Sequence, residues 1–258
     1  AERAAELLSA GIDVVSTSGS TQDVRELLDL DDLARSSGAR LVVGAAVSPG
    51  LSGLLARHLA SSLAGCEELH IAVHGTAGPS CAREHHRALR GWAVGWHDDE
   101  WIERPAGSGR ELCWFPEPVG ARDCYRAELP DPWLLHRSFP EVDRISARTS
   151  ATRRDRFTAR LPMLSPPHRE GGIGALRVEA RGHDDREVRA TLIMGIAELL
   201  GTAAAAVAAA FVDHLAAADV VPGVVTSSDE DLPTAKLLST VARNGVRLQS
   251  FTGIALPT

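Results

Sequence analysis

The sequence predicts an α/β protein in two parts: an incomplete doubly wound parallel sheet, then an α+β domain built on a mixed or antiparallel sheet. Helical and β-branched segments alternate over residues 1–65, longer alternating segments with turns follow, and a strong hairpin pattern lies near residue 180. Alternation of helix and strand is typical of parallel strands joined by right-handed crossovers. Alternation of apolar and polar residues within a segment is typical of strands with one buried face.

The first part contains two short strands between amphipathic helices. Residues 12–17 (IDVVST) and 40–46 (RLVVGAA) are the strands, and the predicted helices are residues 2–10, 23–37 and 51–63. One crossover joins the strands, so we expect them to be adjacent and parallel. Two parallel strands cannot cover both faces of a sheet. We therefore expect further strands from a segment that precedes Ala1, and take residues 1–65 as the carboxy-terminal part of a dinucleotide-binding domain.

The second part, residues 66–198, is predicted to be an α+β catalytic and dimerisation domain. Apolar and polar residues alternate in 175–180 and in 187–194, and the turn-rich segment RGHDDR separates the two runs. This pattern predicts a hairpin. Leu176, Val178 and Ala180 form one apolar side, which predicts a face for homodimer formation. Residues 199–258 are predicted to be a helical return segment that packs on the first domain, with helices at 202–217 and 233–243 and a strand at 246–251.

The composition excludes several kinds of partner. The net charge is −7, with 34 acidic and 27 basic residues, so the field of the protein opposes binding to nucleic acids. The apolar window at residues 199–212 is shorter than the ~20 residues of a membrane span. No signal-peptide pattern opens the sequence, and the four cysteines form no CxxC pair. We expect a cytoplasmic protein without membrane or nucleic-acid partners.

Four segments resemble the saccharopine dehydrogenase family of NAD(P)-dependent oxidoreductases, particularly its actinobacterial members. They are GIDVVSTSG at residues 11–19, VVGAAVSPGLSGLLARHLA at 42–60, FPEPVGARDCYRAELPD at 115–131 and TARLPMLSPPHREGGIGALRVEARG at 158–182. The resemblance implies a Rossmann-like first domain, NADP or NAD as cofactor, and hydride transfer to or from a small carbonyl, imine or amine substrate.

The sequence departs from that family in two ways. Ser16 and Ser20 stand where the family usually has acidic residues, and no G-x-G-x-x-G loop follows a strand. The nearest imitation, residues 171–174, precedes a strand instead of opening a helix. We expect that the amino-terminal part of the Rossmann domain is absent here. The alternative to an enzyme portion is a noncatalytic dimerising or binding remnant.

The candidate cofactor-binding residues lie just after the two predicted parallel strands. Open α/β sheets bind ligands at the carboxyl ends of their strands. The alternative is that these turns serve only as turns and helix caps. The candidates are Thr17, Ser18, Gly19, Val47, Ser48, Pro49 and Gly50.

Four residues are candidates for catalysis. His85 or His86 could exchange the proton of an amine or hydroxyl group during hydride transfer. With Cys81 they could instead bind zinc, although the spacing matches no known metal site and ordinary surface histidines are the simpler interpretation, so we expect no metal. Tyr125 and Asp123 follow a proline-rich loop, which often places side chains in a cleft. A buried phenol with a structural hydrogen bond is the alternative for Tyr125.

Three further residues are candidates for substrate binding. Arg153 and Arg154 could pair with substrate carboxylates, because guanidinium groups bind carboxylates in bidentate fashion. A solvated helical face is the alternative interpretation of these arginines. His168 lies beside a glycine pair, in a segment typical of a loop near a site.

Overall fold

The computed structural model describes residues 1–163, 171–217 and 220–251. Over these residues helices and strands alternate first and strands dominate later, which is the predicted α/β class. The predicted helix at residues 23–37 is two helices, and the segment at 92–103 is a hairpin. In chain order the elements are α1 (Glu2–Ser9), β1 (Val14–Ser16), α2 (Thr21–Leu28), α3 (Asp31–Ser37), β2 (Arg40–Val43), α4 (Leu51–Ala60), β3 (Gly65–His74), α5 (Pro79–Ala88), β4 (Trp92–His97), β5 (Glu100–Pro105), β6 (Glu111–Trp114), β7 (Ala121–Arg126), α6 (Asp131–Ser138), β8 (Arg144–Ser150), α7 (Arg153–Thr158), β9 (Ile173–His183), β10 (Arg189–Leu199), α8 (Leu200–Ala217), β11 (Gly223–Thr226), α9 (Thr234–Arg243) and β12 (Gln249–Ser250).

A small parallel sheet has the strand order β1-β2-β11. Val14 and Val224 both align with Leu41, one from each side of β2. The prediction that the first two strands are adjacent and parallel is therefore confirmed. The third strand, β11, was not predicted, because its four residues lie far along the chain. It returns the chain from the large sheet to this one.

The large sheet is mixed and follows the path β12-β10-β9-β3-β8-β4-β5. Only β3 and β8 pair in parallel along this path; the other pairs are antiparallel. The hairpin of β6 and β7 joins the sheet at the end of β8. A mixed sheet in this part of the chain agrees with the sequence prediction.

The hairpin of β9 and β10 is confirmed, with Ala180 opposite Leu192 and Leu176 opposite Ile196. Its apolar side is not free for association, however. Leu176, Val178 and Ala180 are fully buried in the core of this same chain. Helix α4 packs against β9 there, so the prediction of a dimer interface on that face was wrong.

Helix α4 lies at the centre of the main core. Seven of its ten residues are buried, and it contacts β9, β10, β3, α6 and α9. Apolar residues on all sides are typical of a fully enclosed helix. Burial of a leucine side chain contributes about 2 kcal/mol, so Leu51, Leu54, Leu55 and Leu59 stabilise this arrangement strongly.

A cluster of stacked rings joins the first part of the chain to the edge of the large sheet. Trp101 stacks on Trp133 with ring centroids 4.0 Å apart, and Trp96 stacks on His136 at 3.8 Å. The guanidinium of Arg25, in α2, lies 5.1 Å above the ring of Trp133. Together these contacts connect α2, α6 and the hairpin of β4 and β5.

Helix α8 is long and apolar enough to cross a membrane by length and composition, with 18 residues and a mean hydropathy of 1.5. Its inner side packs within the protein, where Val207, Ala210 and Phe211 are almost fully buried. These contacts fit the predicted buried helix.

The start of α4 depends on a glycine, which gives a first prediction. Gly50 has φ +138°, and a Cβ there would lie 2.2 Å from the carbonyl oxygen of Ala46. We expect Gly50→Ala to lower the free energy of unfolding by about 3 kcal/mol or more, because strain and a backbone clash add. Urea denaturation measures the change.

Gly38→Ala is the matched control for that experiment. Gly38 also has a positive φ, +72°, but nothing lies within 4 Å of its added Cβ. The expected cost is only about 1 kcal/mol. Equal effects of the two substitutions would show that the contact with Ala46 has no energetic role.

Candidate functional site

A cavity of about 420 Å³ is lined by residues at the strand ends of both sheets. Its walls come from the carboxyl ends of β1, β2 and β3, from α5 and from the first turns of α2 and α8. Convergence of strand ends at one cleft is the usual position of ligand sites in α/β proteins. The lining residues are Thr17, Ser18, Gly19, Ser20, Thr21, Gln22, Ala46, Val47, Ser48, Val73, Gly75, Thr76, Ala77, Ser80, Cys81, Glu84, His85, Arg87, Ala88, Glu128, Leu129, Thr149, Leu200 and Ala204.

Five of the seven predicted cofactor-binding residues line this cavity. Thr17, Ser18 and Gly19 enter from the end of β1, while Val47 and Ser48 enter from the end of β2. Pro49 and Gly50 do not line it. They form the turn into α4, and the carbonyl of Pro49 accepts a hydrogen bond from the Ala46 N–H at 3.0 Å.

Ser48 is oriented by a carboxyl group behind the cavity wall. Its hydroxyl donates to Asp131 Oδ2 at 2.6 Å, and the Ser52 hydroxyl donates to Asp131 Oδ1 at 2.5 Å. Asp131 is 1 % exposed, and burial raises the pKa of its carboxyl group above the usual value. Because its proton is engaged with Asp131, Ser48 offers only lone pairs to a ligand.

His85 is held by the end of β8. The Thr149 hydroxyl donates to the carbonyl of Val73 at 3.4 Å and lies 3.2 Å from His85 Nδ1. That hydroxyl has one proton, so it accepts from His85 Nδ1–H, which leaves the lone pair on Nε2. Burial lowers the pKa of this imidazole. His85 is therefore arranged as a neutral proton acceptor.

Of the charged side chains that line the cavity in the described part of the chain, Glu84 and Arg87 form an ion pair and Glu128 does not. Arg87 Nη1 donates to both carboxylate oxygens of Glu84, at 2.8 and 3.0 Å. Among the described residues, Glu128 has no ion pair. Cys81, one helical turn before His85, exposes its thiol at the cavity.

The two serines that depart from the family pattern shape the turn into α2. Ser16 Oγ accepts from the Ser18 N–H at 3.3 Å, and Ser20 Oγ accepts from the Asp23 N–H at 3.5 Å as the helix cap. These are ordinary roles for serine at turns and helix starts.

The structure does not bring the other predicted catalytic residues to the cavity. His86 Nε2 donates to the carbonyl of Leu161 at 2.8 Å, away from His85. Asp123 pairs with Arg110 at 2.9 Å near the surface. Tyr125, on the neighbouring strand β7, pairs with Thr149 and lies one strand farther from the cavity. Its side chain is buried, and the guanidinium of Arg156 lies 4.1 Å above its ring.

The predicted substrate-binding arginines are also elsewhere. Arg153 and Arg154 line a separate, open concavity of about 680 Å³ on α7, together with Arg156 and Phe157. His168 lies outside the described residues. Within residues 1–163, 171–217 and 220–251, no three His, Cys, Asp or Glu side chains are grouped to hold a metal ion.

Three residues at the site escaped the sequence analysis. Asp131 and Thr149 act through partners 83 and 64 residues away along the chain, and Glu128 has no sequence pattern of its own. A weak signal for Asp131 was available, since the sequence places it beside Pro130 and Pro132 at the start of a helix.

Solved structures of dehydrogenases are similar to this chain. Apo saccharopine dehydrogenase (L-Glu forming) from Saccharomyces cerevisiae superposes with a TM-score of 0.63 at 12 % identity, over 95 % of this chain and 81 % of that chain. A meso-dapdh mutant with DAP from Clostridium tetani superposes with a TM-score of 0.40 at 13 % identity, over 92 % of this chain and 73 % of that chain. An amine dehydrogenase from Mycobacterium smegmatis superposes with a TM-score of 0.42 at 12 % identity, over 88 % of this chain and 72 % of that chain.

No protein-family model matches this chain, and no curated protein sequence matches it. The likeness to the yeast saccharopine dehydrogenase, with a TM-score of 0.63, shows that the two chains share a fold. The resemblance to the saccharopine dehydrogenase family is therefore confirmed for the fold. At 12 % identity, the likeness shows nothing about substrate.

The buried Asp131 gives a second prediction. Its folded-state pKa is raised, so between the unfolded value of about 3.9 and the raised value the folded state binds more protons. Stability from this group therefore falls as pH rises through that window. Asp131→Asn removes the ionisation, so we expect the stability of the wild type relative to this variant to decrease upward from about pH 4.

Asp13→Asn is the control, because the bond from Arg40 lowers the pKa of Asp13. Its stabilisation is present above about pH 4 and lost only below it. Relative to wild type, Asp13→Asn should lose the same free energy of unfolding at every pH from about 5 to 8, because this range lies above the reference pKa of about 3.9. Thermal unfolding across this range compares the three proteins. A constant difference between wild type and Asp131→Asn would contradict the prediction.

Proposed function

We propose that this chain is the carboxy-terminal portion of an oxidoreductase that transfers hydride between NAD(P) and a small carbonyl, imine or amine substrate. One observation carries the proposal. The cavity joins the carboxyl ends of β1 and β2 to His85 and Thr149. A cofactor position at strand ends and a proton acceptor on the opposite wall are the two components that such a reaction needs.

The residues present fit the nicotinamide end of the cofactor. Val47 and Leu200 offer apolar surface for a ring, and Ser48 offers lone pairs for the N–H groups of a carboxamide. When bound, nicotinamide would supply the hydride acceptor or donor. Thr17, Ser18 and Gly19 would contact the adjoining ribose.

The same residues do not fit the pyrophosphate. Its usual partners are backbone N–H groups of a glycine-rich turn and the following helix start, and the sequence has no such loop after a strand. Among the described residues no strand pairs with the outer edge of β1, and none of the three residues of β1 is buried. Parallel sheets are normally covered by neighbours. We propose that a segment outside these 258 residues adds strands to this edge and supplies the loop.

In this proposal His85 moves the proton. Its Nε2 lone pair would accept a proton as a C–O or C–N single bond is oxidised, and Nε2–H would return one in the reverse direction. Thr149 keeps the ring in the tautomer that allows this. Val73, Leu129 and Leu200 would limit the contact of the reacting atoms with water.

The third prediction concerns cofactor affinity. We expect these 258 residues alone to bind NADH and NADPH weakly, with a dissociation constant of about 1 mM or above, because phosphate contacts dominate dinucleotide affinity. A longer chain that includes the upstream strand and glycine loop should reach about 10 μM or below. Isothermal titration calorimetry of both proteins measures this difference.

Ser48→Ala in the longer chain tests the position of the ring. The substitution removes one hydrogen bond, and we expect about a fivefold loss of affinity. Adenosine diphosphate ribose lacks the nicotinamide, so its affinity should not change. Tight binding to the shorter chain would place the phosphate site elsewhere, and no binding to the longer one would favour a noncatalytic remnant.

A further inference from the structure

Three polar groups of the cavity wall, Ser48, His85 and Glu128, present hydrogen-bond acceptors. Ser48 presents lone pairs because its proton goes to Asp131. His85 presents the Nε2 lone pair because Nδ1–H goes to Thr149. Glu128 presents a carboxylate, which only accepts while it is ionised. A ligand that satisfies these groups must bring several N–H or O–H donors.

The charge of the cavity is negative. Arg87 is the only Lys or Arg among its described lining residues, and both oxygens of Glu84 accept from it. This pair is neutral as a whole. The carboxylate of Glu128 remains without a cationic partner among the described residues. An anionic ligand would therefore find no unengaged cation in the described wall.

Glu128 is held in place at this wall by the end of α5. Its backbone N–H donates to the carbonyl of Ala88 at 2.9 Å. Its Oε2 lies over Gly91, where a Cβ would be only 2.2 Å away. The absence of a side chain at Gly91 thus gives the carboxylate its space. The wall also contains apolar side chains, among them Val73, Leu129 and Leu200.

We infer that the substrate is an amine with an apolar body and no carboxylate group, and that its ammonium group binds to Glu128. This inference rests on the proposed function and names the substrate class of the same site. An α-amino acid would need a cation for its carboxylate, usually a bidentate arginine. Arg87 is already engaged with Glu84, so the described cavity favours the amine.

The corresponding reaction begins at the carbon that carries the bound ammonium group. The ammonium group loses one proton to His85 Nε2, and the hydride of the adjoining C–H bond passes to oxidised NAD(P). The carbon–nitrogen single bond becomes a double bond, so the products are an iminium ion, reduced NAD(P) and the proton on His85. Water then adds to that double bond, and a ketone or aldehyde and ammonium leave. The amine carbon is oxidised by two electrons and the cofactor is reduced by two.

Binding of three matched probes to this chain tests the inference. 2-Phenylethylamine, 3-phenylpropanoate and phenylalanine carry the same ring with an ammonium, a carboxylate or both. We expect the amine to bind about tenfold or more tightly than the other two, because only its charge is complementary to the cavity. Titrations followed by NMR chemical shifts of cavity residues give the affinities. Tighter binding of either carboxylate compound would overturn the inference.

The variant Glu128→Gln keeps the size of the side chain and removes its charge. We expect it to weaken the amine about tenfold and to leave the neutral probe 2-phenylethanol unchanged, which separates charge recognition from misfolding. Glu103→Gln, on exposed strand β5 outside the cavity, should change neither. Equal amine affinity in Glu128→Gln and wild type would contradict the assignment to Glu128.

Hydride transfer in the longer chain separates the two proposals. Amine binding that depends on Glu128 without reduction of NAD(P) would overturn the proposed oxidoreductase function and retain the recognition of amines. Reduction of NAD(P) by amino acids rather than simple amines would retain the proposed oxidoreductase function and overturn the inference about amines.

Discussion

The enclosure of α4 by the large sheet and two helices is the constraint on which the rest of the structure depends. This helix contacts β3, β9 and β10 of the large sheet, while α6 and α9 cover its other sides. The chain enters it from β2 of the small sheet through Ser48, Pro49 and Gly50. The burial of seven of the ten residues of α4 is the direct consequence.

The carboxyl group of Asp131 transmits that constraint to the cavity. It joins α6 to the start of α4 by accepting from Ser48 and Ser52. Burial of a carboxyl group is unfavourable unless its hydrogen bonds are satisfied. Here two hydroxyl donors satisfy it. The same bonds fix the orientation of the Ser48 hydroxyl at the cavity wall, so the start of α4 and this part of the wall depend on one carboxyl group.

Local patterns predicted much of the fold and part of the site. The parallel pair of β1 and β2 and the hairpin of β9 and β10 follow from short-range periodicity, which residues of one segment carry by themselves. Ser18 and Ser48 were placed at the site because strand ends of one parallel sheet share an edge. What the sequence did not predict depends on distant segments. Thr149 and Asp131 meet their partners only after the sheets form, and β11 needs β2 as a template.

The failed prediction of a dimer face has the same origin. The alternation of Leu176, Val178 and Ala180 correctly predicted one apolar side of β9, but alternation does not show what covers that side. Here α4 of the same chain covers it. The opposite side carries Glu179, nearly buried between Arg177 and Arg181, so even the polar side of the strand is internally paired.

The stacked rings of Trp96, Trp101, Trp133 and His136 have a consequence for spectroscopy. The chain contains five tryptophans, and three of them lie in this one cluster between α2, α6 and the hairpin of β4 and β5. The other two, Trp92 and Trp114, are 60 % and 46 % exposed. Indole emission depends on stacking and on contact with water, so intrinsic fluorescence has a stacked, partly buried component and a solvated component. The stacked component reports on the joint between α2 and the large sheet, and a rotation of one against the other is observable without an added label.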